Sequence, residues 1–239
     1  MHILVTVETK PHHRALLEAA APQAAFVYKE SGVARADVEK ADVLLGNVSP
    51  ALLSPKDKLQ WMQTASAGVD GYTHGCLPQG AVLTNATGAY GLAISEYMVA
   101  VWLMLLKKLH SYRDAQPAGA WGDLGPVASA WNSTVLVLGL GDIGGEFAKR
   151  AKALGARVIG VRRAGVDKPD FVDALIHTDR LDEYLPQADC VAITLPGTAQ
   201  TRNMFDAARI AKMKDGAILL NVGRGTIVDS AALCAALER

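Results

Sequence analysis

Four apolar residues, Val135 to Leu138, run directly into Gly139-Leu140-Gly141-Asp142-Ile143-Gly144, and a helical pattern follows over residues 143–154. Few features limit the fold of a chain so narrowly. A short, continuously apolar and partly β-branched run reads as a strand covered on both faces. The first glycine permits a tight turn, the second lets backbone approach a ligand, and the third lets the helix pack on the strand. A further strand pattern occupies residues 157–161. Strand, glycine loop, helix and strand in this order read as a Rossmann-type dinucleotide-binding unit. The helix start would offer N–H groups and a partial positive charge to the pyrophosphate. Gly139, Gly141, Asp142, Ile143 and Gly144 are therefore assigned to the cofactor. A ligand-free glycine turn is the plainer reading, and it leaves the ordered sequence of elements unexplained.

After Val161 come Arg162 and Arg163, with no acid between residues 157 and 166. An NAD-binding unit places an Asp or Glu here to accept from the ribose hydroxyls. A guanidinium cannot accept a hydrogen bond, but it pairs well with a 2′-phosphate. Arg162 and Arg163 thus favour NADP(H) over NAD(H). The other reading has Arg162 stacked on the adenine, with the ribose read by backbone or water.

The rest of the chain repeats the alternation of strand and helix. Strands are predicted at 3–7, 25–28, 43–46, 59–64 and 81–84, with a helix over 14–20 and a glycine-bearing loop over 66–71. Later strands are predicted at 174–176, 190–194 and 217–222. This order implies parallel α/β sheets. Residues 94–109 read as one long helix, apolar nearly all round, and so buried between domains or subunits. A Gly- and Pro-rich arm follows, through Trp121 to Pro126. The long helix is taken as a connector. The lobes are divided as 1–98, a flavodoxin-like substrate-binding lobe, and 99–239, a Rossmann nucleotide-binding lobe.

Composition removes several alternatives. Lys plus Arg and Asp plus Glu both number 24, and the balance gives no basic surface for nucleic acid. The cysteines, at 76, 190 and 234, form neither a CxxC pair nor an even framework, which suits idle thiols in a reducing compartment. No basic n-region or cleavage site marks a secretory signal. The apolar run from Met98 to Leu106 is short of the roughly 20 residues a bilayer needs. A cytoplasmic protein without membrane contact is the expectation, and no metal site is assigned.

These segments resemble the D-isomer-specific 2-hydroxyacid dehydrogenase family over nearly the whole chain. Trp61 to Asp70 resembles its substrate loop, and Val135 to Gly144 its nucleotide fingerprint. Thr194-Leu195-Pro196 with Thr198 and Thr201 resembles the segment beside the adenosine. Leu220 to Asp229, with Val222-Gly223-Arg224-Gly225 at its centre, resembles the catalytic-arginine motif. The resemblance implies two lobes with the active site in the cleft between them. It also implies hydride exchange between nicotinamide and C2 of a small 2-oxo or 2-hydroxy acid. It assigns Arg224 to the substrate's carboxylate and carbonyl oxygen, and backbone N–H groups of Ala67, Gly68 and Val69 to a carboxylate clamp. Thr194, Leu195, Pro196, Thr201, Val222 and Gly223 join the cofactor set. Asn47 is assigned to the substrate, with a turn-forming role as the alternative. Tyr90 and Glu96 are read as structural.

The family also uses a histidine, oriented by a glutamate, downstream of the arginine motif. None of His2, His12, His13, His74, His110 and His177 occupies that place; His74, near the substrate loop, is the only one worth testing. The expectation is that the chain is C-terminally truncated relative to the family, leaving the nucleotide sheet incomplete and the 217–222 strand as an uncovered edge. Two functions follow. One is NADPH-dependent reduction of a glyoxylate- or hydroxypyruvate-like acid. The other is an inactive nucleotide-binding regulator or interaction protein on the same scaffold. The 94–109 helix and the arm near Trp121 suggest a homodimer.

Overall fold

The computed structural model describes residues 1–163 and 167–238. The chain forms two compact units, Met1–Ala89 and Tyr90–Arg239. In the first, β1 (His2–Val5), α1 (Pro11–Ala20), β2 (Ala25–Tyr28), α2 (Arg35–Glu39), β3 (Val43–Leu45), β4 (Trp61–Gln63) and β5 (Val82–Thr84) follow in order. All strand pairings are parallel, in the order β2-β1-β3-β4-β5. That is the flavodoxin-like arrangement. Leu4, Leu44 and Met62 are buried on one face with Val38, Leu53 and Tyr72; Ile3, Val5 and Val43 face the other. Arg35 meets the nearly inaccessible Asp57 carboxylate through both terminal nitrogens. The same carboxylate accepts from the Ser54 N–H.

The second unit contains α3 (Gly91–Leu106), α4 (Leu109–Ala115), β6 (Thr134–Leu138), α5 (Asp142–Ala153), β7 (Arg157–Arg162) and β8 (Ala174–His177). It continues with α6 (Leu181–Tyr184), β9 (Cys190–Ile193), α7 (Ala207–Ile210), β10 (Ile218–Asn221) and α8 (Ser230–Leu237). The parallel sheet runs β10-β9-β6-β7-β8. Counted from β6, this is the Rossmann order, reversing between β6 and β9. Val135 to Leu138 and Cys190 to Ile193 have no exposed surface, which explains their unbroken apolar character: helices cover both faces. The α5 helix buries Gly144, Phe147, Ala148 and Ala151, while Glu146 pairs with Lys149 and Arg150 on the outer face. β8 and β10 are the sheet edges.

The predicted 94–109 helix is two helices. Lys108 takes a left-handed conformation at φ +54°, separating α3 from α4, and the second helix runs on to Ala115. The break falls where the apolar run ends. The ammonium groups of Lys107 and Lys108 donate to the carbonyls of Ala128 and Leu124 in the following arm. Nor does α3 stand apart as a connector. It packs along α5 in the second unit, with the Trp102 and Phe147 rings edge to face at 6.0 Å. A long apolar pattern specifies burial but not the partner. No described helix is long and apolar enough to cross a membrane.

Candidate active site

In the second unit the glycine loop leaves β6 at the point where the strand order reverses. Gly139 has φ +88°, and its N–H continues the ladder to the Val161 carbonyl. Gly144 is where helix and strand touch: a Cβ there would stand 1.9 Å from the Gly139 carbonyl oxygen and 2.5 Å from the Thr194 hydroxyl. Gly141, the N-cap of α5, is different. A Cβ placed on it meets no atom within 4 Å, and no side chain caps the helix. Open space over an uncapped helix start fits a diphosphate. Ile143 and Val222 are half-buried and pack against the hydrophobic core, and the Val222 N–H donates to the Ile193 carbonyl. The Asp142 carboxylate lies against Gly91 at the start of α3.

Beside this loop lies a cavity of about 170 Å³. It is lined by Leu138, Gly139 and Val161, by Leu195, Pro196, Thr198, Thr201 and Met204, and by Arg162, Arg163 and Thr178. Among the described residues no Asp or Glu lines it. The half-buried Arg162 donates from Nη2 to the Leu140 carbonyl at 2.9 Å, which fixes its guanidinium over the glycine loop. Arg163 is exposed. Of the segment read for a ribose-binding acid, residues 164–166 lie outside the described residues. Two threonines in the predicted set spend their hydroxyls on the protein. Thr194 donates to the Leu138 and Gly139 carbonyls, at 3.0 and 2.9 Å, and so ties β9 to the glycine loop. Thr201 donates to the Pro196 carbonyl and accepts from the Thr198 N–H, each at 2.8 Å.

Arg224 follows β10 on the same side of the sheet. Its Nη1 donates to the Gly223 carbonyl at 2.8 Å. Asn221 holds the turn from both ends, accepting from the Gly223 N–H and donating to the Arg224 carbonyl, each at 3.0 Å. Gly197 leaves room for the arginine stem: a Cβ there would lie 2.9 Å from Arg224 Cγ. Gly223 passes so close to the Leu195 backbone that its Cβ would lie 2.4 Å from that carbonyl oxygen.

In the first unit the loop after β4 is pinned by its carbonyls. Thr64 Oγ1 donates to the Ser66 carbonyl at 2.7 Å and Ser66 Oγ to that of Gly68 at 2.8 Å. Asn85 Nδ2 donates to the Ala67 carbonyl at 2.9 Å. Asn47 supports the loop through its side chain, accepting from the Ala65 N–H at 2.8 Å and donating to Ser66 Oγ at 3.0 Å. This places Asn47 as a brace under the loop. For the N–H groups of Ala67, Gly68 and Val69 no acceptor is found among the described residues. With the carbonyl ends engaged and successive N–H groups unengaged, the loop is suited to an anion. Sequence reading missed the braces Thr64, Ser66 and Asn85, and Thr178 and Met204 in the cavity. For the braces, small polar residues near Gly68 and Gly88 were the only signal; Thr178 and Met204 carried none.

His74 is exposed in the turn after the loop. His177 ends β8, exposed, against Asp179 and the Arg163 carbonyl. The described residues contain no group of three or more His, Cys, Asp or Glu placed to hold a metal. All three cysteines are free, and burial pushes the Cys190 thiol pKa upward.

Residues 99–239 match the model of the D-isomer specific 2-hydroxyacid dehydrogenase, NAD binding domain. An uncharacterized protein of Streptomyces coelicolor is 35% identical over 197 residues, which cover 82% of this chain and 69% of that protein. Glyoxylate/hydroxypyruvate reductase B of Yersinia enterocolitica is 30% identical over 212 residues, covering 84% of this chain and 64% of the relative. The chain thus spans about two thirds of the curated relatives it matches. The crystal structure of a D-isomer specific 2-hydroxyacid dehydrogenase family protein from Aeromonas salmonicida is similar at 32% identity. Its TM-score is 0.85, over 99% of this chain and 77% of that one.

Proposed function

The chain belongs to the D-isomer specific 2-hydroxyacid dehydrogenase family, and on that premise we propose that it serves NADPH-dependent reduction of a small 2-oxo acid, of the glyoxylate or hydroxypyruvate kind, to the D-2-hydroxy acid. The observation that carries this reading is the 66–69 loop. Its carbonyls are engaged, and its N–H groups at Ala67, Gly68 and Val69 have no acceptor among the described residues. A protein that senses nucleotide alone has no use for such a carboxylate receptor.

The α5 N-terminus and Gly141 would hold the diphosphate, and the 162–163 pair the adenosine end. An acid-free cavity wall bearing two arginines supports a 2′-phosphate, because a guanidinium fork and a phosphate form short charge-assisted bonds. When bound, the nicotinamide supplies the hydride. Arg224 would grip the substrate's carboxylate and the oxygen on C2. As that carbonyl becomes an alkoxide, negative charge grows beside an existing carboxylate, and a fixed guanidinium meets both. Asn47, Thr64, Ser66 and Asn85 would keep the loop's N–H groups aimed outward without touching substrate.

We also propose a homodimer. The α3 helix leaves Leu92 and Tyr97 exposed, and the Trp121 side chain in the arm is wholly exposed. Such apolar surface commonly marks an interface, and sedimentation velocity tests it.

The test of function is NADPH consumption with glyoxylate and hydroxypyruvate, beside direct titration of NADPH and NADH. Turnover with a 2-oxo acid is expected. Tight nucleotide binding without oxidation on any 2-oxo acid would overturn the reductase reading in favour of a nucleotide-binding regulator.

A further inference from the structure

We infer that His177 is a protonated clasp on the Arg162–Arg163 end of β7, a positioning residue that sets how strongly the cavity prefers a 2′-phosphorylated dinucleotide. The inference rests on the NADPH reading above and goes beyond it by assigning a role, and a pH dependence, to a residue outside the family motifs.

The clasp follows from hydrogen-bond inventory. His177 Nδ1 lies 2.7 Å from the Asp179 carboxylate, and Nε2 contacts the Arg163 carbonyl. A carbonyl and an ionised carboxylate can only accept, and a neutral imidazole has one N–H. Both contacts are satisfied together only when both ring nitrogens carry protons. The pair's electrostatics agree: the Asp179 carboxylate raises the His177 pKa, and His177 lowers that of Asp179. The neighbouring Thr178 makes the second tie, donating to the Arg162 carbonyl at 3.2 Å. The 177–179 turn therefore grips both backbone carbonyls of the arginine pair, and Thr178, Arg162 and Arg163 all line the cavity. The charged residues on the segments that meet the ring are Arg162, which ends β7, Arg163, which follows it, and Asp179 and Arg180 of its own turn. Arg180 is paired with Glu183.

As pH rises through the raised His177 pKa, the ring keeps one N–H and gives up one partner. Either the Arg163 carbonyl is released or the Asp179 carboxylate is left unneutralised next to Thr178, which lines the cavity. Both consequences weaken recognition of a 2′-phosphate and spare a nucleotide lacking it. The phosphate itself titrates in this range, so variants must be compared with the wild type at each pH.

The experiment is fluorescence titration of NADPH and NADH against the full chain from pH 5.5 to 8.5, with His177→Gln and Asp179→Asn alongside. In the wild type, relative to His177→Gln, the preference for NADPH should fall about two- to fivefold as the ring deprotonates, the range expected for an exposed charge contact. In Asp179→Asn the transition should move to lower pH, because the carboxylate that holds the proton is gone. NADH affinity should stay level across the three proteins. An NADPH preference following the same pH course in wild type and His177→Gln would overturn the clasp alone. A His177 ring that titrates by NMR at or below the ordinary histidine value would do the same. Equal affinity for the two nucleotides at every pH would remove the phosphate reading, and the clasp with it.

Discussion

Replacing Gly144 by alanine would put a methyl carbon 1.9 Å from the Gly139 carbonyl oxygen, 3.0 Å from its carbonyl carbon and 2.5 Å from the Thr194 hydroxyl. None of these atoms can move cheaply. The carbonyl belongs to the turn leaving β6, and the hydroxyl is held by the Leu138 and Gly139 carbonyls. To relieve the contact, α5 must lift from the sheet and loosen Phe147, Ala148 and Ala151, none of which has exposed surface. Overpacking of this kind costs about 1–3 kcal/mol or more. For a chain of this size each kcal/mol corresponds to roughly 2–4 °C in Tm, so a fall of about 6–12 °C is expected at the upper end. Gly141→Ala is the control. Its φ of −76° suits alanine and its Cβ meets no protein atom within 4 Å, so stability should drop by less than about 1 kcal/mol. Yet that methyl stands where the diphosphate would pass, and nucleotide affinity should fall at least about tenfold. The assays are differential scanning fluorimetry and NADPH titration on both variants. Equal Tm losses would refute the division of labour. So would a Gly141→Ala protein that binds NADPH like the wild type.

Three further outcomes follow from the site and the core. Arg162→Asp should weaken NADPH by roughly 10- to 100-fold, since hydrogen bonds to charged groups are worth about 1.5–3 kcal/mol; equal loss for NADH, by titration, would deny the guanidinium a phosphate role. Arg224→Ala should raise the Kd for a 2-oxo acid by a similar factor, measured on the NADPH-loaded protein, while NADPH itself binds as before. Asp57, held below the usual carboxylate range chiefly by Arg35, adds stability that is present above the ordinary carboxylate pKa and lost as pH falls through its lowered one. Asp57→Asn should therefore cost about 1–3 kcal/mol near neutrality and flatten the acid limb of a Tm-against-pH curve.

Much of the fold could be read in advance because burial imposes its own pattern. β6 and β9 depart from the predicted residues by one residue at one end, since strands covered on both faces leave unbroken apolar runs; β2, an edge strand, occurs over the predicted residues with its side chains alternately exposed and half-buried. The 94–109 prediction failed where this logic has least to say. Apolar periodicity measures burial, whereas the break at Lys108 depends on two ammonium groups reaching carbonyls 16 and 21 residues away. The site divides in the same manner. Gly139 and Gly144 were legible because each has a conformational or steric reason local to the motif. Asn47, by contrast, could be read equally as ligand or turn, and its work as a brace depends on the loop 18 to 19 residues later.

The same contrast explains why the most specific chemistry sits on the least conspicuous residues. Glycine loops and helix starts can hold any diphosphate, so they identify a class of ligand and little more. Discrimination within that class comes from the strand ends beside the loop, and in this sheet they belong to different elements: Arg162 to β7, Thr178 to the turn after β8, Leu195 and Pro196 to the turn after β9. Parallel order brings these strand ends together at one end of the sheet, although 33 residues separate the first from the third. A single acid at the end of β7 would have made the cavity wall a ribose acceptor. In the proposed reading, two arginines held from behind by His177 and Thr178 would make it a phosphate receptor whose strength depends on whether one exposed imidazole keeps its second proton.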